Sequence, residues 1–308
     1  MAFAKPRIVR IDVAFLLLVS AGFGFADGCV GQPDLAVTPN TIRIQSLDEP
    51  AKGTWVELPG FSELGSPTFS RDGQWIAFDA YRGGFDHSSA ECWIARRDGR
   101  ELKRLTFGAT PRFSPDGKRI LFVRERVNDP TRKEGVYVIN QDGSGEKRIG
   151  PGRWPDWSPT GDEIVFSLGG EETGGARIGA TIHIAAADGS DRRELVEGDC
   201  PSWSPDGTKI AYCHLDPDRR PTIVVHDMRE NAEVPLGMGW YRANWFPDSK
   251  TVVVNGWNGR KRVMVRLSLA RPRKVVEETT DYEAPFSPSV SWDGKRILFI
   301  ARKPNPAK

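Results

Sequence analysis

Short apolar runs, separated by turn-forming residues, recur along this chain at a nearly constant interval. The segments PTFSRDGQWIAF (67–78), PRFSPDGKRILF (111–122), PDWSPTGDEIVF (155–166), PSWSPDGTKIAY (201–212), ANWFPDSKTVVV (243–254) and PSVSWDGKRILF (288–299) are variants of one pattern. Measured at Asp72, Asp116, Thr160, Asp206, Asp248 and Asp293, successive copies lie 44, 44, 46, 42 and 45 residues apart. Each copy reads as a hairpin. A short strand carrying an aromatic residue (Phe69, Phe113, Trp157, Trp203 or Trp245) enters a Ser-Pro-Asp-Gly turn or a variant of it. Proline presets φ there, aspartate bonds its own backbone, and glycine takes the positive φ. The returning strand is apolar at consecutive positions, as in 120–123 and 297–300, which predicts burial on both faces.

A second hairpin follows in each unit, clearest in CWIARRDGRELKRL (92–105), VYVINQDGSGEKRI (136–149) and IHIAAADGSDRREL (182–195). Looser versions occupy 223–236 and 263–276. Its last strand is charged, with Lys103, Arg104, Lys147, Arg148, Arg192, Arg193, Arg273 and Lys274, as an exposed sheet edge requires to avoid pairing with other molecules. Four antiparallel strands per unit of about 45 residues predict an all-β, six-bladed β-propeller. The sixth hairpin has no second half after it. The segments TIRIQSL (41–47) and TWVELP (54–59) supply that half, so N-terminal strands complete the C-terminal blade and close the ring.

Composition narrows the picture. The 308 residues carry Lys+Arg 43 and Asp+Glu 41, a net charge of +2, which provides no basic field for a nucleic acid. Before the repeats, Lys5, Arg7 and Arg10 precede an apolar run at 13–23 that is too short to span a bilayer and ends in small residues. This predicts a signal peptide over 1–26, a lead-in over 27–40, the propeller over 41–302 and a tail over 303–308. The mature protein is then exported, periplasmic or secreted, with no transmembrane span. A lipoprotein anchor at Cys29 is the competing reading.

The Ser-Pro-Asp-Gly-Lys-x-Ile-x-Phe hairpin, followed by a strand and Asp-Gly, resembles the WD-like repeats of the TolB-like β-propeller family. The resemblance covers residues 41–302. It implies a propeller of the periplasmic envelope type, without the N-terminal α/β domain that precedes the propeller in that family's namesake. It does not by itself imply an activity, because one fold hosts many functions.

Blade topology places the Ser-Pro-Asp-Gly and Asp-Gly turns on one face and the long loops on the other, within blades at 81–91, 124–135, 167–181, 214–222 and 255–262. Candidate binding residues on the loop face are Arg82, His87, Arg126, Arg153, Trp154, His214, Trp240, Tyr241, Arg242, Trp257 and Tyr282. Aromatic residues with arginine are the usual anchors of binding surfaces; the alternative is that they plug the channel or cover blade ends. Arg112 and Asp156 hold equivalent inner-strand positions and are read as channel-facing, either as an ion pair or as a solvated lining. No spacing of His, Cys, Asp or Glu predicts a metal site, no catalytic constellation emerges, and no cofactor is expected.

Export puts the four cysteines in an oxidising compartment. Counting outward from a four-residue turn sets Cys200 opposite Cys213, which predicts a disulfide. Cys29 and Cys92 form a second candidate pair, in competition with lipidation. The expected function is a monomeric, non-catalytic scaffold that binds a protein or a cell-envelope component, peptidoglycan-associated or glycan, through the loop face. A propeller enzyme (hydrolase or polysaccharide lyase) and a carbohydrate-binding module are the alternatives.

Overall fold

The computed structural model describes residues 40–302 except 85–88, 126–132, 174–175, 216–219, 258–259, 261, 271–274 and 279–284, all within the unit Thr38–Lys308. The signal and lead-in segments, Cys29, and the 303–308 tail lie outside the described residues, as do His87, Arg126 and Tyr282. Among the described residues there is no α-helix, and so none long and apolar enough to cross a membrane.

Six four-stranded antiparallel sheets follow one another as blades. Blade one contains β3 (Glu63–Phe69), β4 (Trp75–Tyr81), β5 (Glu91–Arg96) and β6 (Lys103–Phe107). Blade two contains β7 (Ala109–Phe113), β8 (Arg119–Arg124), β9 (Gly135–Asn140) and β10 (Lys147–Gly150). Blade three has β11 (Arg153–Trp157), β12 (Glu163–Thr173), β13 (Ala176–Ala186) and β14 (Arg193–Glu197). Blade four has β15 (Asp199–Trp203), β16 (Lys209–Leu215), β17 (Pro221–Asp227) and β18 (Ala232–Met238). Blade five has β19 (Trp240–Trp245), β20 (Thr251–Trp257), β21 (Arg262–Ser268) and β22 (Val275–Glu278). Blade six joins β23 (Phe286–Val290) and β24 (Arg296–Arg302) to β1 (Asn40–Ser46) and β2 (Gly53–Val56), in the order β2-β1-β24-β23. The inner strands β3, β7, β11, β15, β19 and β23 neighbour one another in sequence, and β23 returns to β3. The ring is therefore closed by strands from the two ends of the sequence, as the orphan hairpin predicts.

The first turn of each blade is built from side chains as well as backbone. The Ser70, Ser114, Ser204 and Ser291 hydroxyls donate to the carboxylates of Asp72, Asp116, Asp206 and Asp293 at 2.5–2.7 Å. Each hydroxyl also accepts the N–H five residues on, at 2.9 Å. The Ser114 hydroxyl bond is the main reason that the Asp116 carboxyl is held below the ordinary carboxylate range. At Asp72, Asp206 and Asp293 burial pushes the other way, but the serine and backbone hydrogen bonds outweigh it and the carboxyls are again lowered. A carboxyl with a lowered folded-state pKa stabilises the fold fully above its unfolded value of about 4 and loses that contribution as pH falls. The urea midpoint is therefore expected to stay flat from pH 7 to 5 and to drop below pH 4, less steeply in Ser114→Ala.

Between blades the core is layered. Phe122 stacks on Tyr137 at 5.4 Å between ring centroids, and in the next blade Phe166 stacks on His183 at 5.8 Å, so His183 fills an aromatic packing position. The indoles of Trp157 and Trp245 donate to the Arg112 and Ser202 carbonyls of the preceding blades. Blade three departs from the sequence expectation. Segment 167–181 is not a loop: β12 and β13 pair out to Thr173 and Ala176 as a projecting ribbon, with Gly169, Gly170 and Gly179 at positive φ. Glu171 and Glu172 are strand residues of that ribbon.

Candidate functional site

All six inner strands carry a bulge at the same place. The register slips between Gly65 and Thr68, Ala109 and Arg112, Arg153 and Asp156, Asp199 and Ser202, Trp240 and Asn244, and Phe286 and Ser289. Within each slip one non-glycine residue is left-handed: Ser66 (φ 42°), Thr110 (53°), Trp154 (52°), Cys200 (54°), Tyr241 (63°) and Ser287 (53°). Proline follows this residue in five blades, at 67, 111, 155, 201 and 288; in blade five Arg242 stands there. A residue before proline ordinarily takes an extended conformation, so each bulge holds strain of order 1–3 kcal/mol. Two of the bulge amides are met by the preceding blade: Thr110 N–H donates to Asp79 Oδ2 at 2.7 Å, and Ser287 N–H to Asn255 Oδ1 at 2.8 Å. Gly198, just before β15, is required by space as well as by its φ of 156°, since a Cβ there would lie 2.4 Å from the Tyr212 ring.

The bulge separates the predicted disulfide. The β15–β16 ladder pairs Trp203 with Ile210 and Ser202 with Ala211, then slips, so that Asp199 rather than Cys200 faces Cys213. Cys200, Cys213 and Cys92 are free, buried thiols, and the expected Cys200–Cys213 bridge is absent; the Cys29–Cys92 pair involves a residue outside the described ones. Cys92 packs in the layer between blades one and two beside Phe122 and Ile94. Burial raises all three thiols, that of Cys213 to about 12.

The same bulges shape the loop-side mouth. Trp154 and Tyr241 are bulge residues of blades three and five, and their rings approach to 6.3 Å across blade four. Tyr241 is 46% exposed, and Met238, three residues earlier, is 40% exposed. Beneath them lies Arg242, which the sequence places on the loop face. It is instead buried, at 4% exposure, as part of β19. Its guanidinium lies 5.9 Å from the Trp154 ring, donates from Nη2 to the Pro155 carbonyl at 2.9 Å, and sits 3.7 Å from Asp156 Oδ1. Asp156 therefore faces Arg242, not Arg112, as its ion-pair partner. Its other oxygen accepts the Trp203 N–H at 3.0 Å. Arg112 is buried in the ring position shared by Thr68, Asp156, Ser202, Asn244 and Ser289.

The remaining candidates scatter. Arg82 lies on blade one, stacked on Phe61 at 4.1 Å and 3.6 Å from Glu91. Arg153 donates to the Gly169 carbonyl at the base of the ribbon. Trp240 begins β19 and Trp257 ends β20. His214 lines a cavity of about 140 Å³ with Arg177, Ile178 and Glu197, between the ribbon and blade four. Sequence reasoning missed Arg177, because the ribbon was read as a loop, and Glu197, the last residue of β14. It also missed the channel position of Arg242, although the break in the proline series marks it. Among the described residues no group of three or more His, Cys, Asp or Glu is placed to hold a metal.

Solved structures share this arrangement. A TolB from Acinetobacter baumannii superposes with a TM-score of 0.61 at 18% identity, over 81% of this chain and 65% of its own. A putative TolB from Agrobacterium tumefaciens superposes with a TM-score of 0.65 at 15% identity, over 87% of this chain and 99% of its own. The chain folds as a TolB-like six-bladed propeller. It spans just under two thirds of the A. baumannii protein. The propeller domain of the Trilobed protease from Pyrococcus furiosus, with an open velcro topology, also superposes, with a TM-score of 0.51 at 15% identity over 79% of this chain and 80% of its own. No protein-family model and no curated protein matches the sequence.

Proposed function

We propose that this TolB-like propeller is an exported, non-catalytic binding module that takes a protein or another cell-envelope component at its loop-side mouth. The observation that carries the reading is the Trp154–Tyr241 pair, held by two strained bulges with Tyr241 exposed beside Met238. Rigid, partly exposed aromatics over a buried arginine are what interface anchors are made of. The basic and apolar start of the sequence supports export, and the resemblance to TolB-like propellers supports an envelope partner.

The test uses the processed protein as bait in an envelope extract, beside a variant with Trp154, Trp240 and Tyr241 all changed to alanine. One envelope component is expected to be retained by the wild type and to lose at least about 30-fold in affinity for the variant, which corresponds to roughly 2 kcal/mol. Equal retention by both baits would move the site elsewhere. Retention by neither would remove the scaffold reading.

A further inference from the structure

The channel holds two arginines that the propeller repeat does not need. Arg112 occupies a ring position filled in four other blades by Thr68, Ser202, Asn244 and Ser289, and Arg242 stands where the other five blades carry proline. Arg112 is 7% exposed and Arg242 is 4% exposed. Arg112 donates from Nη1 to its own strand, at the Pro111 carbonyl. Arg242 uses Nη2 on the Pro155 carbonyl, while its Nε and Nη1 are buried and make no hydrogen bond. Its 3.7 Å approach to Asp156 is too long to count as one. Buried donors left unmade cost about 1–3 kcal/mol each, more when charged.

The charges reinforce this picture. The two guanidiniums rest on equivalent carbonyls of adjacent blades, Arg112 on Pro111 and Arg242 on Pro155; burial, and then repulsion from Arg242, lower Arg112 to about 9. The nearby carboxylates carry hydrogen bonds of their own, and Asp156 Oδ1 faces the Arg242 guanidinium at 3.7 Å. Asp199 accepts from the Ser167 hydroxyl at 2.6 Å and from the Cys200 N–H. Asp79 accepts from the Thr110 N–H. Asp156 gives one oxygen to the Trp203 N–H. The Ser202 hydroxyl, on the strand between Asp156 and Arg242, is also buried without a hydrogen bond.

We propose that the channel is a carboxylate-binding site, in which the Arg112 and Arg242 guanidiniums clamp a ligand carboxylate and the Ser202 hydroxyl donates to it. A guanidinium fork matches a carboxylate in shape and charge, and two forks around one carboxylate relieve the repulsion between them. The inference stands apart from the binding surface above, since it uses the channel interior and not the exposed aromatics. The carboxylate comes either from a small free acid or from an acidic side chain inserted into the channel.

The experiment follows the melting temperature and tryptophan fluorescence of the full chain, since Trp154 lies over Arg242. Sodium acetate is titrated against sodium chloride at equal ionic strength, and acetyl-Gly-Asp-Gly-amide serves as the inserted side chain. A saturable rise in melting temperature and a fluorescence change are expected with acetate or with the peptide, and not with chloride. Response to acetate at the lower concentration assigns a free acid, and response to the peptide at the lower concentration assigns a side chain. Arg112→Gln and Arg242→Pro should each weaken the response at least ten-fold. Arg242→Pro restores the residue that five blades carry, and Arg242→Met serves in its place if that variant does not fold. Chloride-level responses to both ligands, or an unchanged response in the variants, would overturn the site.

Discussion

A chain that begins at Gly60 is expected to give no soluble monomer. It lacks β1 and β2, which supply half of blade six. β1 pairs with β24 at every position from Asn40–Arg302 to Ser46–Arg296. Its Ile42 and Ile44, with Val56 of β2, fill a core shared with Leu298 and Ile300 of β24 and with Leu64 and Phe69 of blade one. Removing them exposes that apolar row and turns β24 into a bare edge, which templates aggregation. The milder variant Ile42→Ala should fold, with a loss of about 2–5 kcal/mol, because Ile42 is fully buried. Size-exclusion chromatography and urea denaturation read both effects. A truncated chain that elutes as a monomer with the wild-type urea midpoint would show that the ring does not depend on this closure.

Asp79→Ala is expected to destabilise the protein by about 3–5 kcal/mol. Asp79 is fully buried on β4 and carries a hydrogen bond from one blade to the next, at Thr110 N–H. Burial, and then the charge of Asp79, raise the nearby Tyr81 phenol well above its ordinary range. Gly65 opposite makes room for the carboxylate, since a Cβ there would lie 2.3 Å from Asp79 Oδ1. Alanine leaves the buried Thr110 N–H without its acceptor and opens a void. Asp79→Asn keeps an acceptor for Thr110 and should lose less than half as much. Equal losses in the two variants, measured by urea denaturation, would mean that the cost arises from charge and not from the missing acceptor.

The blade count, the strand order and the shared closure of blade six were legible because turn chemistry is local and repeats. Ser-Pro-Asp-Gly fixes one hairpin whatever surrounds it, and six copies fix the period. The bulges were not legible in the same way. A left-handed residue before proline contradicts local preference, and only packing between blades holds it. One consequence is the Cys200–Cys213 pair. Counting from the turn is correct as far as Ser202 and Ala211 and fails beyond, where the bulge adds a residue. Arg242 follows the same logic: read as a loop-face residue, it belongs to an inner strand, because the bulge turns the chain into the channel. The meeting of Trp154 and Tyr241 spans two blades, and no spacing in the sequence encodes a contact across the ring.

Blade six also sets how the protein bears mechanical load. Asn40 and Arg302 are paired residues, so the first and last strands begin and end at the same corner of the sheet. Hydrogen bonds in an antiparallel ladder run perpendicular to the strands. Tension applied to the two ends of the propeller therefore falls on the Asn40–Arg302 rung first and opens the seam like a zipper, one rung at a time. A ring that resists heat through a shared core would yield to a modest pull at its ends, while a pull on two neighbouring turns would have to shear a whole blade.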